Sequence, residues 1–295
     1  MAISARPYEN EGDLRRMQAL QQELWALEGP RVHTHVGDLA WWLHRGEEQD
    51  FRRRLWFDGE RCVAWAWFWP PASLDYEVHR EHRGGELHRE VLAWFESQAA
   101  PSPLTTFAFE SDELWLAVLG ECGYKPSGSW YAYYVQDLDD NGPEAVVPDG
   151  LTLRTVRDDE ADFRERVALH RAVWAPSKLT EDRYRRVTQA WPYRTELDCV
   201  VEAPDGSFAA YVLCWYDDVN AVGEFEPVGT HPDYRRRGLG AAVCRYALTR
   251  LREEGARQAI VYAGGRDEDE RSRALYESVG FRGLTRSLEH RKERA

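Results

Sequence analysis

No stretch of this chain stays apolar for the roughly 20 residues that a membrane-spanning helix needs. The longest apolar run, Cys62 to Pro71, is rich in Trp and suits a buried strand. The N-terminus, MAISARPYENEGDLRRMQ, lacks a basic segment followed by an apolar core, so no signal peptide and no membrane association are expected. Cysteine is sparse. Cys62, Cys122, Cys199, Cys214 and Cys244 are odd in number, widely spaced and without a CxxC pair. That disfavours a disulfide framework and a zinc site, and makes a reducing cytoplasm the expected compartment, with no metal cofactor. An excess of positive charge is also missing: the formal net charge is −13. General nucleic-acid binding is therefore not expected, because attraction to phosphate is its dominant non-specific component.

What is present is a folded composition. The 295 residues are 43% hydrophobic and 30% charged, enough for one large domain or two of ordinary size. The acidity is uneven. Residues 1–148 hold 13 Lys and Arg against 25 Asp and Glu, whereas residues 149–295 hold 25 against 26. Between them, residues 136–150 are polar and rich in Gly, Pro and Asp, the composition of a linker.

The flanks of that linker resemble each other. ARPYENEGDLRRMQALQQELW opens one half and LRTVRDDEADFRERVALHRAVW the other, each a short strand, an acidic turn and an amphipathic helix. Asp58-Gly59 and Asp205-Gly206 lead into the alternating strands RCVAWAWFW and SFAAYVLCW. AVLGECGYK and ALYESVGFR then give a helix closed by Gly123 or Gly280. Three paired landmarks in one order indicate a tandem duplication. The second half reads β–α–α–β–β–β–α–β–α–β over residues 151–290, an α+β layer with a mostly antiparallel sheet.

Residues 230–240, THPDYRRRGLG, concentrate positive charge at one place in an acidic chain. They fall between a strand ending near Thr230 and an amphipathic helix stopped by Gly255. The N-terminus of that helix presents unpaired N–H groups and the positive end of its dipole. Gly238 and Gly240 let a ligand approach the backbone, so the turn suits a pyrophosphate, with the arginines adding charge-assisted contacts. A solvated turn is the plain alternative. Neither a Lys-Ser/Thr after the glycines nor a G-x-G-x-x-G is present, so other phosphate loops fit worse.

EPVGTHPDYRRRGLGAAV, followed about forty residues later by ALYESVGF, resembles the GCN5-related N-acetyltransferase (GNAT) superfamily in its central loop and its C-terminal helix signature. With a weaker copy over residues 1–135, the whole chain resembles a tandem GNAT protein. The resemblance implies an α+β fold of two tandem GNAT-like domains, each a mixed, mostly antiparallel twisted sheet flanked by helices. Their expected limits are 1–138, a linker at 139–150, and 151–295.

The resemblance further implies acetyl-CoA as co-substrate. Arg235, Arg236, Arg237, Gly238, Leu239 and Gly240 would cradle its pyrophosphate. Val228, Gly229 and Thr230 would pair with the pantetheine arm, one N–H polarising the thioester carbonyl. Tyr276 would protonate the leaving thiolate. An acceptor amine with a pKa near that of lysine, about 10.4, needs a base. Glu226 and Glu224, on the strand leading to Val228, are the two candidates; a bulge would decide which points inward. The family's frequent Asn before the Leu-Tyr pair is missing, Asp269 lying nearest that place. The expected acceptor is the amine of a small molecule, bound by a monomer or a homodimer.

In the first half, REHRGGEL echoes the loop but is too short, and Leu119 stands where Tyr276 does in the second. The first half is therefore expected to be non-catalytic, its ten tryptophans serving packing. Acceptor contacts are expected from residues 163–193, with His170, Trp174, Tyr184, Trp191 and Tyr193 as candidates. Two competing readings are a non-catalytic acyl-CoA-binding or interaction module, and a nucleic-acid-binding module built on the Arg run.

Overall fold

The computed structural model describes residues 3–46, 52–99, 102–138, 142, 144–266 and 269–293; part of the expected linker at 139–150 lies outside them. The first half runs β1 (Ser4–Pro7), α1 (Glu11–Glu28), α2 (Val36–Arg45), β2 (Arg53–Asp58), β3 (Arg61–Trp69), β4 (Ser73–Val78), α3 (Glu86–Gln98), β5 (Leu104–Phe109), α4 (Glu113–Glu121) and β6 (Lys125–Asp137). The second repeats this order with β7 (Thr152–Thr155), α5 (Glu160–Val173), α6 (Glu181–Gln189), β8 (Asp198–Glu202), β9 (Phe208–Asp217), β10 (Val222–Thr230), α7 (Leu239–Glu253), β11 (Gln258–Gly264), α8 (Glu270–Ser278) and β12 (Arg282–Lys292).

The repeat extends to local chemistry. The Asn10 side chain accepts from Gly12 N at 2.9 Å to start α1, and Asp159 accepts from Asp162 N at 2.8 Å to start α5. Gly123 (φ 86°) and Gly280 (φ 107°) follow α4 and α8 in left-handed conformations that favour glycine.

Twelve strands form one sheet in the order β1-β2-β3-β4-β5-β12-β6-β11-β10-β9-β8-β7. Neighbours are antiparallel except β4–β5 and β10–β11. Both parallel pairings are brief: Ser73 and Leu74 against Thr105 and Thr106, and Val222 to Glu224 against Gln258 to Ile260. In each half the two parallel strands pair no further along their length.

The last strand of each half is exchanged. β6 lies beside β11, and β12 lies beside β5, while β6 and β12 pair with each other at the centre. The sequence shows two copies of one pattern. It does not show which copy's edge each final strand completes, because the two edges make the same hydrogen-bonding demand.

Both faces of β9 are covered, so all ten of its residues are buried. The Trp65 and Trp67 side chains pack in a cluster that also contains Leu24, Tyr133, Val222 and Ile260, joining the halves. Trp69 stacks on Trp67 at 5.3 Å between centroids. The tryptophans of β3 thus act as core and inter-half packing; truncating one such residue to Ala costs about 3–5 kcal/mol. From the first half, α2 packs against α6, β9 and β10 of the second. Among the described residues no helix is long and apolar enough to cross a membrane.

Candidate active site

The arginine turn sits at the junction the sequence predicts. A short 3-10 turn, Pro232–Tyr234, follows β10, with His231 Nδ1 accepting from Asp233 N at 3.2 Å. Arg236 then takes a left-handed φ of 62° and Gly238 one of 78°. Two such residues in three curl the backbone into the start of α7, and for a non-glycine residue this conformation is uncommon. No side chain caps α7, so the N–H groups of its first turn face outward. Arg235, Arg236 and Arg237 are exposed. Arg235 Nε donates to Thr230 O at 3.3 Å, and the Arg237 guanidinium lies 5.2 Å from the Tyr234 ring centre. At Gly240 an added Cβ would come within 3.4 Å of both Leu275 and Thr230 Oγ1, so glycine seats the helix start against α8 and β10.

Upstream of the turn, β10 carries one extra residue relative to β9 between Phe225 and Val228. Beyond it, β10 and β11 have parted. A cavity of about 470 Å³ occupies the opening, lined by Val228, Tyr262, Gly264, Trp174, Glu226 and Tyr276 among others. A second cavity of about 590 Å³ lies on the other side, lined by Trp41, Arg45, His170, Trp174, Lys178 and Glu226 among others. Trp174 and Glu226 belong to both walls.

The two candidate carboxylates are placed differently. Glu226 is partly exposed, in the shared wall. Burial pushes its carboxyl above the ordinary range, opposed by the Arg45 charge and by the nearby Trp41 indole. Trp215 Nε1 donates to its backbone carbonyl at 2.7 Å. Glu224 is 1% exposed and lines neither cavity. It packs against Asp38 and lies 3.2 Å from His35 Nδ1. Burial raises both carboxyls well above the ordinary range, helped by Glu226 at Glu224 and by Glu224 at Asp38, while burial lowers His35. Glu224 thus sits where α2 of the first half meets β10 of the second.

Tyr276 is 7% exposed, with its ring between Tyr134 and Phe281 at centroid distances of 6.4 and 5.9 Å. Burial holds its hydroxyl well above the usual tyrosine range, so it carries its proton at neutral pH. Asp269 lines the same cavity. Gly229 lets α5 approach, since an added Cβ would lie 2.6 Å from Val173 Cγ1.

On the second cavity's wall, Trp174 Nε1 donates to the Tyr211 hydroxyl at 2.8 Å, and that hydroxyl is 2.8 Å from His170 Nδ1. The Tyr211 hydroxyl thus bridges Trp174 and His170, whose imidazole burial lowers to about 3 and keeps neutral. Beneath them, Arg166 is wholly buried, its Nε donating to Asp198 at 2.9 Å, with Tyr184 donating to the same carboxylate at 2.6 Å. Of the five acceptor candidates, His170 and Trp174 line the cavity. Tyr184 and Tyr193 pack in a core cluster, and Trp191 lies under Arg15 of α1. Trp41 and Arg45 were not singled out in the sequence; their signal is the helical spacing Gly37, Trp41, Arg45.

At the corresponding place in the first half, Arg83 turns inward, 9% exposed, and meets Glu28 at 2.9 Å, Asp112 at 3.1 Å and Glu77 at 3.4 Å. Two cavities border it, one of about 20 Å³ and one of about 510 Å³ lined by Glu28, Arg80 and Asp112 among others. Leu119 is fully buried in the core. Among the described residues no group of His, Cys, Asp and Glu could hold a metal, and the five cysteines are free thiols.

A splayed α+β sheet with an arginine-glycine turn at one helix start defines a class of protein, and comparison with known proteins specifies it. The Acetyltransferase (GNAT) family model matches residues 163–281. A mycothiol acetyltransferase of Thermobispora bispora is 27% identical over 99% of this chain and 100% of its own length. Another, from Beutenbergia cavernae, is 33% identical, the match spanning 46% of each chain, about half its length. Among solved structures, a tandem GNAT protein from the clavulanic acid biosynthesis pathway aligns over 98% of both chains with a TM-score of 0.68 at 16% identity. A GCN5-related N-acetyltransferase from Sphaerobacter thermophilus aligns over 98% of this chain and 95% of its own, with a TM-score of 0.66 at 20% identity. Residues 163–281 thus match the GNAT acetyltransferase family, and the whole chain is similar in fold to a tandem GNAT protein. The family is described as acetyltransferases, and the relatives named above carry an acetyltransferase name.

Proposed function

We propose that the second half, residues 151–295, transfers the acetyl group of acetyl-CoA directly to the amine of a small molecule, and that residues 1–138 carry no chemistry of their own. Bound acetyl-CoA supplies an activated thioester. The turn from Arg235 to Gly240 holds its pyrophosphate with helix N–H groups and guanidinium charge. Val228, Gly229 and Thr230 pair with the pantetheine arm, and one of their N–H groups polarises the thioester carbonyl. The amine enters through the cavity beside Arg45 and His170. Glu226 takes its proton as the C–N bond forms, and Tyr276 gives a proton to the sulfur as the C–S bond breaks.

The observation that carries this reading is the place of Glu226, in the one wall common to a cavity containing Val228 and Tyr276 and a cavity open to an acceptor. The inward Arg83 and the buried Leu119 support a first half without a cofactor site. The test is release of CoA thiol from acetyl-CoA with a panel of small amines. An unacetylated mycothiol precursor heads the panel, because relatives bear that acetyltransferase name. Amine-dependent release that depends on Glu226 supports the proposal. Tight acetyl-CoA binding without release for any amine would instead make the chain an acyl-CoA-binding module.

A further inference from the structure

The first half contributes a helix to the site of the second, and the contacts of that helix follow one stripe. Gly37, Trp41 and Arg45 are four residues apart, so they share a face of α2. At Gly37 an added Cβ would lie 2.2 Å from both Cβ and Cγ of Trp215, so the start of α2 rests directly on that indole of β9. The helix is held in this pose at its N-cap: His35 Nδ1 accepts from Gly37 N at 3.1 Å, and Asp38 accepts from His35 N at 2.9 Å. The same Trp215 donates to the Glu226 carbonyl. One turn on, Trp41 lines the same cavity wall as Glu226 and favours its charged carboxylate, and one turn further Arg45 lines that cavity too.

We propose that α2 is a working part of the second half's active site: Trp41 orients the Glu226 carboxylate towards the acceptor, and Arg45 supplies the positive charge beside it. Trp41 and Arg45 are positioning residues, and the inference rests on the reading of Glu226 as base. It gives the duplicated half a role in that site. It also explains why a glycine and a large aromatic occupy consecutive turns of one short helix.

The electrostatics agree with the geometry. Burial raises the Glu226 carboxyl, and Arg45 is the larger of the two influences that oppose burial, the Trp41 indole the other. The further groups that face it are Asp38 on α2, Glu224 on its own strand, Tyr211 on β9 and Tyr276 on α8. His170 of α5, Lys178 and Arg183 of α6 line the same cavity. Removing Arg45 takes away a stabiliser of the charged form, so the carboxyl titrates at higher pH.

The experiment reads that titration without needing the acceptor. The full chain is labelled with glutamate bearing ¹³C at the side-chain carboxyl. The Glu226 resonance is assigned by its loss in Glu226→Gln and followed with pH in wild type, Arg45→Met, Arg45→Lys and Trp41→Phe. The midpoint is expected to rise in Arg45→Met and Trp41→Phe, by roughly one pH unit or more for the lost charge, and to stay near wild type in Arg45→Lys. Acetyl-CoA affinity by calorimetry stays unchanged in all three. An unchanged midpoint in Arg45→Met, which is exposed and tolerates the change, would overturn the proposal. Loss of turnover in Glu226→Gln is a separate result: it tests Glu226 as base, whatever the midpoints show.

Discussion

Replacing Glu226 by Gln tests the core of the proposed chemistry. The amide keeps the volume of the side chain in the wall between the two cavities. What it loses is the capacity to take a proton. A positioned general base contributes about 10²- to 10⁴-fold, or roughly 3–5 kcal/mol of barrier, and this is the fall expected in kcat. Binding of acetyl-CoA is expected to persist, because its proposed contacts lie at residues 228–230 and 235–240. The melting temperature is not expected to drop: burial already disfavours the ionised carboxylate, and a neutral amide is easier to bury. The assay is amine-dependent CoA release between pH 6 and 9, with acetyl-CoA affinity measured in parallel. Wild type should show an acid limb from protonation of Glu226, whereas the residual rate of Glu226→Gln should follow only the fraction of free amine as pH rises. If Glu226→Gln turned over within threefold of wild type while Glu224→Gln were inactive, the assignment would be reversed and the argument from the shared wall refuted.

Tyr276→Phe removes a hydroxyl from a ring that remains packed beside Tyr134 and Phe281. Its kcat should fall about 10²-fold or more with acetyl-CoA affinity intact, and unchanged turnover would remove Tyr276 as the acid. Glu77 is buried in the first half and its carboxyl is raised from 4.5 to about 7. A carboxyl raised on folding contributes stability below its unfolded value that is lost as pH rises through about 7. Glu77→Gln should match wild type in urea unfolding near pH 5 and exceed it by up to about 3 kcal/mol at pH 8; a constant difference would contradict this. Residues 1–138 and 151–295 expressed separately should each lack cooperative unfolding and recover it when co-expressed, because β12 completes the edge of β5 and β6 that of β11. A sharp melting transition in either fragment alone would show that the exchange is dispensable.

How much of this could be read beforehand depends on the range of the interactions. The turn at 235–240 was legible because its determinants are local: glycines that tolerate φ of 78°, a strand before and a helix after. Arg236 in the same conformation had no sequence signal, since arginine gives no hint of a left-handed backbone. The choice between Glu224 and Glu226 was undecided for a similar reason. An extra residue in β10 changes which side chain meets a cavity, and only the pairing with β9 reveals it.

The sequence by itself determined the duplication, the order of elements, the arginine-glycine turn and the presence of Tyr276, because caps, turn glycines and apolar periodicity act over a few residues. Tertiary structure alone decided the exchange of β6 and β12, the inward turn of Arg83, and the seating of α2 on Trp215 beside Glu226. Each of those joins residues that are near in space and remote in the chain. A pattern repeated in both halves cannot state which half its edges and faces will complete.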